Sequence, residues 1–231
     1  MTVYSYGEFR EAQVLYWFMS TVVRRLLKIV FRPVVAGLEN VPADGPIIFA
    51  SNHLSFVDSV LIPLVMPRRV TFLAKAEYFE SSILGAFLSS MGHIPVPRTE
   101  QRAAVAALDI ALKTLDEGNA FAIYPEGTRS EDGRLYRGHT GVGWLALNAQ
   151  VSVVPVAVRD TQRIMPVGAR LPRIIRPGVT FGKPIDFKPF ADMPPARGRR
   201  ALVDEIMREI QKLSGQEYTG TYNERSKVSA A

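Results

Sequence analysis

The sequence predicts an α/β fold: a mixed, largely parallel sheet covered by helices, with an N-terminal interfacial amphipathic helix. Three observations carry this. Short apolar runs bounded by Gly or Pro alternate with longer helix-compatible stretches, the pattern of a sheet with both faces covered. Two of those runs deliver polar residues to their carboxyl ends, the edge at which open α/β sheets bind ligands. At 231 residues and 47% apolar, the chain can build one full core, and no Gly/Ser linker or internal repeat divides it.

The elements follow in order. Residues 14–23 form an apolar run with Arg24, Arg25 and Lys28 behind it. The run is too short to span a bilayer of about 30 Å, which takes about twenty helical residues. Its basic cluster follows the apolar part, the reverse of a secretory signal. It therefore reads as a helix lying in a membrane interface with Trp17 and Phe18 inserted; a helix packed on the core is the competing account. Residues 46–50 are a buried strand and 56–66 a helix. Strands at 70–74 and 94–96 flank a helix at 83–91. A helix over 101–117, closed by Gly118, leads to a strand at 120–124. Apolar segments at 144–147 and 151–158, a late strand at 179–182 and a final helix over 198–213 complete the pattern.

After the strand at 46–50 comes Asn52-His53-Leu54-Ser55-Phe56-Val57-Asp58. Two residues five apart on an ideal helix point about 140° away from each other, so His53 must lie in the turn before the helix for Asp58 to point back at it. That arrangement suggests an imidazole base with an orienting acid. Ser55 and Asp58 also fit a capping box, which would explain Asp58 without chemistry but leaves Asn52 and His53 unexplained at the end of a buried strand. After the strand at 120–124 comes Pro125-Glu126-Gly127-Thr128-Arg129-Ser130. Gly127 allows a turn with positive φ, and Thr128, Arg129 and Ser130 offer two hydroxyls and a bidentate cation, a set suited to phosphate. An ordinary loop with a surface Arg is the alternative for this block taken alone.

Together the two blocks resemble the 1-acyl-glycerol-3-phosphate acyltransferase (lysophosphatidic acid acyltransferase) family of glycerolipid acyltransferases, whose hallmarks are an NHxSxxD block and a later EGTRS block. Residues 92–98, ending in Arg98, are similar to the family's middle block, and Val153-Val154-Pro155-Val156 to its last one. The middle block departs from the common pattern at Val96-Pro97. The resemblance covers about residues 35–185. It implies acyl transfer to the free hydroxyl of a lysophosphatidate, with His53 and Asp58 as the catalytic pair. It implies substrate binding by Glu126, Gly127, Thr128 and Arg129, with Arg98 as a further phosphate ligand; Glu126 could instead organise the anion loop. Lys75, at the end of the strand at 70–74, is a third candidate for the phosphate, with an ordinary solvated Lys as the alternative. An imidazole, with a reference pKa of about 6.5, suits removal of a hydroxyl proton at neutral pH. With no cysteine and no G-x-S-x-G elbow the expected route is direct attack on the donor, acyl-CoA or acyl-carrier protein, without an acyl-enzyme. Another acceptor, such as glycerol 3-phosphate, a lysophospholipid or a glycolipid, is the alternative within this chemistry. A non-catalytic lipid-binding module is the alternative outside it.

His93 and His139 read as surface or packing histidines, and no metal spacing is present, so no cofactor is expected beyond the acyl donor. The net charge of +6 is concentrated: residues 159–200 carry ten Lys or Arg against three Asp. Such a stretch favours an anionic leaflet and the phosphates of CoA. It is rich in Pro and Gly and has no recognition-helix pattern, which argues against nucleic acid. The expected placement is membrane-associated at the cytoplasmic face, peripheral or monotopic. The division is 1–32 for the interface segment, 33–213 for the catalytic domain and 214–231 for a polar, mobile tail.

Overall fold

The computed structural model describes residues 19–96, 102–166 and 171–224. A short π-helical turn, Met19–Val23, leads into α1 (Arg24–Phe31). Then follow β1 (Val34–Ala36), β2 (Ile47–Ser51), α2 (Asp58–Val65), β3 (Val70–Lys75), α3 (Ser82–Ser90), β4 (His93–Val96), α4 (Arg102–Asp116) and β5 (Ala120–Ile123). The chain continues through α5 (Gly141–Ala149), β6 (Val153–Arg159), α6 (Thr161–Ile164), β7 (Gly178–Phe181), α7 (Lys188–Ala191) and α8 (Pro195–Ser214). The expected strands and long helices are present within a few residues. β1, α6 and α7 were not anticipated, because three or four residues are too few for a periodic signal.

The sheet has the order β1-β7-β6-β2-β5-β3-β4, with every neighbouring pair parallel except β6 and β7. β2 is central and buried along its whole length. Its alternation divides the core: Ile47 and Phe49 join the layer under α2, whereas Ile48 and Ala50 join the layer under α4, α5 and α8. α8 starts with Pro195, ends at Gly215 with φ 72°, and buries Leu202, Val203, Ile206, Met207 and Ile210 as one stripe. Gly143 of α5 is what lets α8 approach: a Cβ there would sit 2.5 Å from the carbonyl oxygen of Arg199.

α1 docks through Leu27, packed against the core, and through Arg24. Arg24 donates to the carbonyl oxygens of Pro63 at 2.8 Å and Met66 at 2.9 Å, groups that the end of α2 leaves without helical partners. Trp17 and Phe18, assigned to a membrane interface, lie outside the described residues. Among the described residues, no helix is long and apolar enough to cross a membrane. Of the tail assigned from residue 214, residues 215–224 lie back across the domain. Leu135 N–H donates to Glu217 O at 2.8 Å and Arg137 N–H to Thr221 O at 2.8 Å.

Candidate active site

β2 and β5 are neighbours, Ala50 opposite Ile123, so the two polar loops leave the sheet side by side. After β2 the chain turns before α2 begins, and Asp58 opens that helix. Asp58 is fully buried, and one oxygen, Oδ2, accepts from Leu54 N–H at 2.6 Å and Ser55 N–H at 2.8 Å and lies 2.8 Å from His53 Nδ1. The geometry combines a capping contact with the expected pairing of His53 and Asp58. Asp58 takes the Ser55 N–H as a capping acid does, but the Ser55 hydroxyl accepts from Val57 N–H at 3.3 Å rather than closing the box.

Asn52, also fully buried, pairs with the end of β6: its side chain accepts from Val158 N–H at 2.8 Å and donates to Val158 O at 3.0 Å. Its Nδ2 also donates to Gln216 Oε1 at 2.7 Å, so the C-terminal segment touches the residue before His53. The His53 ring stacks on Tyr124, with centroids 3.8 Å apart and planes 9° from parallel. The Tyr124 hydroxyl lies 3.0 Å from that of Ser59. Burial first, and the Asp58 charge second, push the Tyr124 phenol well above its ordinary range, so it stays neutral.

The second loop is tied to the first. Glu126 is fully buried and accepts His53 N–H at 3.0 Å on Oε1 and Tyr136 N–H at 2.9 Å on Oε2. Ser130 N–H donates to His53 O at 2.7 Å. Both Glu126 oxygens are thus engaged by backbone, and the side chain organises the loop instead of facing the cavity. Gly127 has φ 73°, and a Cβ there would lie 3.2 Å from the His139 ring, which explains glycine on both counts.

His53, Lys75, Gly127, Thr128 and Arg129 all line one cavity of about 560 Å³ that opens at this edge of the sheet. Leu108 and Ala111 of α4 and Phe121 of β5 give it an apolar wall. Arg98 lies outside the described residues. His93 and His139 line the same cavity. His93 is nevertheless a packing residue: it stacks on Phe72 and approaches Leu88 O at 3.2 Å, and burial pulls its pKa down to about 4. His139 stacks on Tyr222, with centroids 4.8 Å apart. Among the described residues, no three His, Cys, Asp or Glu side chains converge as metal ligands would.

The sequence profile of the acyltransferase family matches residues 32–159, more than half of the chain and both polar loops. The chain belongs to the acyltransferase family. It is 37% identical over 136 residues to a chloroplastic 1-acyl-sn-glycerol-3-phosphate acyltransferase of Arabidopsis thaliana, 58% of this chain and 38% of that protein. It is 26% identical over 201 residues to the 1-acyl-sn-glycerol-3-phosphate acyltransferase of Bacillus subtilis, 86% of this chain and 96% of that one. The chain therefore spans less than half the length of the plant relative, though nearly all of the bacterial one. The crystal structure of a 1-acyl-sn-glycerophosphate acyltransferase from Thermotoga maritima superposes with a TM-score of 0.68 over 90% of this chain and 83% of that one; at 24% identity the likeness concerns the fold.

In this member of the acyltransferase family the buried Glu126 is also expected to make stability depend on pH. Burial pushes its carboxyl up to about 7 from 4.5, against the two backbone N–H groups that favour the carboxylate. Between those values the native chain keeps a proton that the unfolded chain has released, so the contribution of Glu126 to stability falls as pH rises from about 4.5 to about 7. Glu126→Gln is expected to flatten that part of the profile. Urea denaturation at intervals across the window measures it, and an unchanged slope would assign the pH dependence to other groups.

Two residues at this site escaped sequence reasoning. Tyr124 looked like the last residue of an apolar strand, and Gln216 like part of a polar tail. The signal for Tyr124 is parity: once β2 and β5 are known to pair in parallel with Ala50 opposite Ile123, Tyr124 falls on the same face as Ser51 and His53.

Proposed function

We propose that this acyltransferase transfers an acyl group from a thioester donor, acyl-CoA or acyl-carrier protein, to the free hydroxyl of 1-acyl-glycerol 3-phosphate, giving phosphatidic acid. The observation that carries the proposal is the His53–Asp58 pair at the rim of a cavity that also holds Arg129 and Lys75. With Nδ1 engaged by the carboxylate, Nε2 of His53 is the ring nitrogen left for the acceptor hydroxyl. The hydroxyl oxygen attacks the thioester carbonyl carbon as Nε2 takes its proton. The C–S bond then breaks, and that proton leaves with the thiol. Asp58 stabilises the imidazolium formed on the way. The stacked ring of Tyr124 and the three bonds to Asp58 Oδ2 hold the imidazole in one orientation, which supports catalysis without reorganisation.

Arg129, exposed at the rim, and Lys75, at the end of β3, supply positive charge for the acceptor phosphate, while the apolar wall suits a hydrocarbon chain. A guanidinium grips phosphate through two hydrogen bonds and an ammonium presents one compact charge, so Arg129→Lys should be costly. A hydrogen bond to a charged group contributes about 1.5–3 kcal/mol, and kcat/KM for the phosphate-bearing acceptor is expected to fall by about one to two orders of magnitude. The check is a parallel measurement with monoacylglycerol. Equal losses on both acceptors would move Arg129 from the acceptor site to the donor site or to the fold. A panel of acceptors against one labelled donor, with product positions mapped, tests the substrate assignment itself; no product from lysophosphatidate would overturn it.

A further inference from the structure

Gln216 joins the two polar loops of the site. Beyond it, the C-terminal segment runs beside the stretch that follows the second loop: Leu135 pairs with Tyr218 in parallel, Leu135 N–H donates to Glu217 O at 2.8 Å and Thr219 N–H to Leu135 O at 3.0 Å. Counted back two residues on each side, that register sets Gln216 opposite Gly133. Gln216 Nε2 donates to Gly133 O at 2.8 Å, and its Oε1 accepts from Asn52 Nδ2 at 2.7 Å. One amide thus bridges the residue before His53 and a residue of the turn that follows Arg129.

Both amides have their orientation set by their partners. Asn52 Oδ1 accepts from Val158 N–H, which leaves two N–H groups on Nδ2, one for Val158 O and one for Gln216. A flipped Gln216 would set N–H against N–H at Asn52 and oxygen against oxygen at Gly133. The bonds also close a circuit. Ser130 N–H donates to His53 O at 2.7 Å, and the Ser130 hydroxyl donates to Asp132 Oδ1 at 3.0 Å, which holds the turn leading to Gly133. From Gly133 the circuit crosses Gln216 and returns through Asn52 to His53. Gln216 is carried on the end of α8, where its N–H donates to Ser214 Oγ at 3.2 Å, and it is only half-buried. Its contribution is therefore these two bonds more than apolar burial, and without it one N–H of the fully buried Asn52 loses its partner.

We propose that Gln216 is a positioning residue for the reaction: acting through Asn52 and Gly133, it fixes the loop of His53 against the loop of Arg129, so that the base and the site for the acceptor's phosphate keep one separation. The inference rests on the catalytic reading of His53 and adds to it a residue beyond the span that the family profile matches. Such a role has a measurable scale, because a misplacement of about 1 Å between a base and the group it attacks costs about 10²-fold in rate. The phosphate grip itself is untouched, so the loss should fall on turnover rather than on acceptor binding.

Gln216→Met keeps the length of the side chain and removes both bonds. Its kcat on lysophosphatidate, per folded molecule and well below the melting temperature, is expected to fall by about tenfold or more, with KM changed by less than about twofold. Gln216→Glu retains an acceptor for Asn52 and should lose only about threefold. Glu217→Ala, exposed on the same segment, should match the wild type. An unchanged kcat per folded molecule in Gln216→Met, even with a lowered melt, overturns the positioning role. The ring N–H signals of His53 in an NMR spectrum give a second reading that needs no turnover. The chain holds three histidines, so His53 can be followed beside His93, which is buried under Phe72. In Gln216→Met the His53 signals are expected to move while those of His93 stay. Should the wild type fail to acylate lysophosphatidate, the function proposed above falls by itself, and unmoved His53 signals would then overturn the role of Gln216. If Gln216→Met does not fold, Gln216→Glu carries both readings.

Discussion

Replacing His53 with alanine is expected to cut turnover by about 10²–10⁴-fold, the span associated with losing a general base, while leaving the chain folded. The fold should survive because the bonds that shape the loop do not use the ring alone. Asp58 Oδ2 keeps its Leu54 and Ser55 N–H donors, and Glu126 and Ser130 hold the loop through the backbone of His53. Steady-state kinetics on lysophosphatidate, with a thermal melt as the folding check, measures the effect. Near-normal turnover in a folded variant would remove His53 from the mechanism.

Asp58→Asn is expected to lower turnover by about 10²-fold or more and up to about 10⁴-fold, the loss that follows amidation of the acid that orients a catalytic imidazole. It keeps the shape but loses the charge behind His53 Nδ1. It should also cost stability, because an amide in place of the carboxylate serves the three partners on Oδ2 less well; a buried group left unsatisfied costs about 1–3 kcal/mol. Ser55→Ala separates the two effects. It removes only the bond to Val57 N–H and should cost about 0.5–2 kcal/mol, with turnover nearly intact. Matching turnover losses in the two variants, each in proportion to its loss of stability, would return Asp58 to a purely structural role.

Much of the site was legible because its chemistry is local in sequence. A strand of five apolar residues can place His53 and Asp58 only at its end, and the five-residue step required the histidine to sit before the helix, where it lies. The turn at Gly127 was legible for a similar reason: its positive φ follows from neighbours within the loop. Glu126 was harder. Nothing adjacent to it in sequence shows that its two acceptors would be used by backbone N–H groups 73 and 10 residues away. The same limit hid Gln216, whose partner Asn52 is 164 residues distant.

Strand and helix positions, the two polar loops and the pairing of His53 with Asp58 follow from periodicity, punctuation and steric reach, which act over a few residues. Strand order, the stacking of Tyr124 on His53, the burial of Glu126 and the return of residues 215–224 over the domain were decided only by tertiary structure. Each depends on which distant segments lie side by side, and that is set by the joint burial of two apolar layers on the faces of one sheet. The outward exposure of Leu26 and Ile29 on α1 belongs to the same class: it is fixed by Arg24 docking on the end of α2 and Leu27 packing on the core.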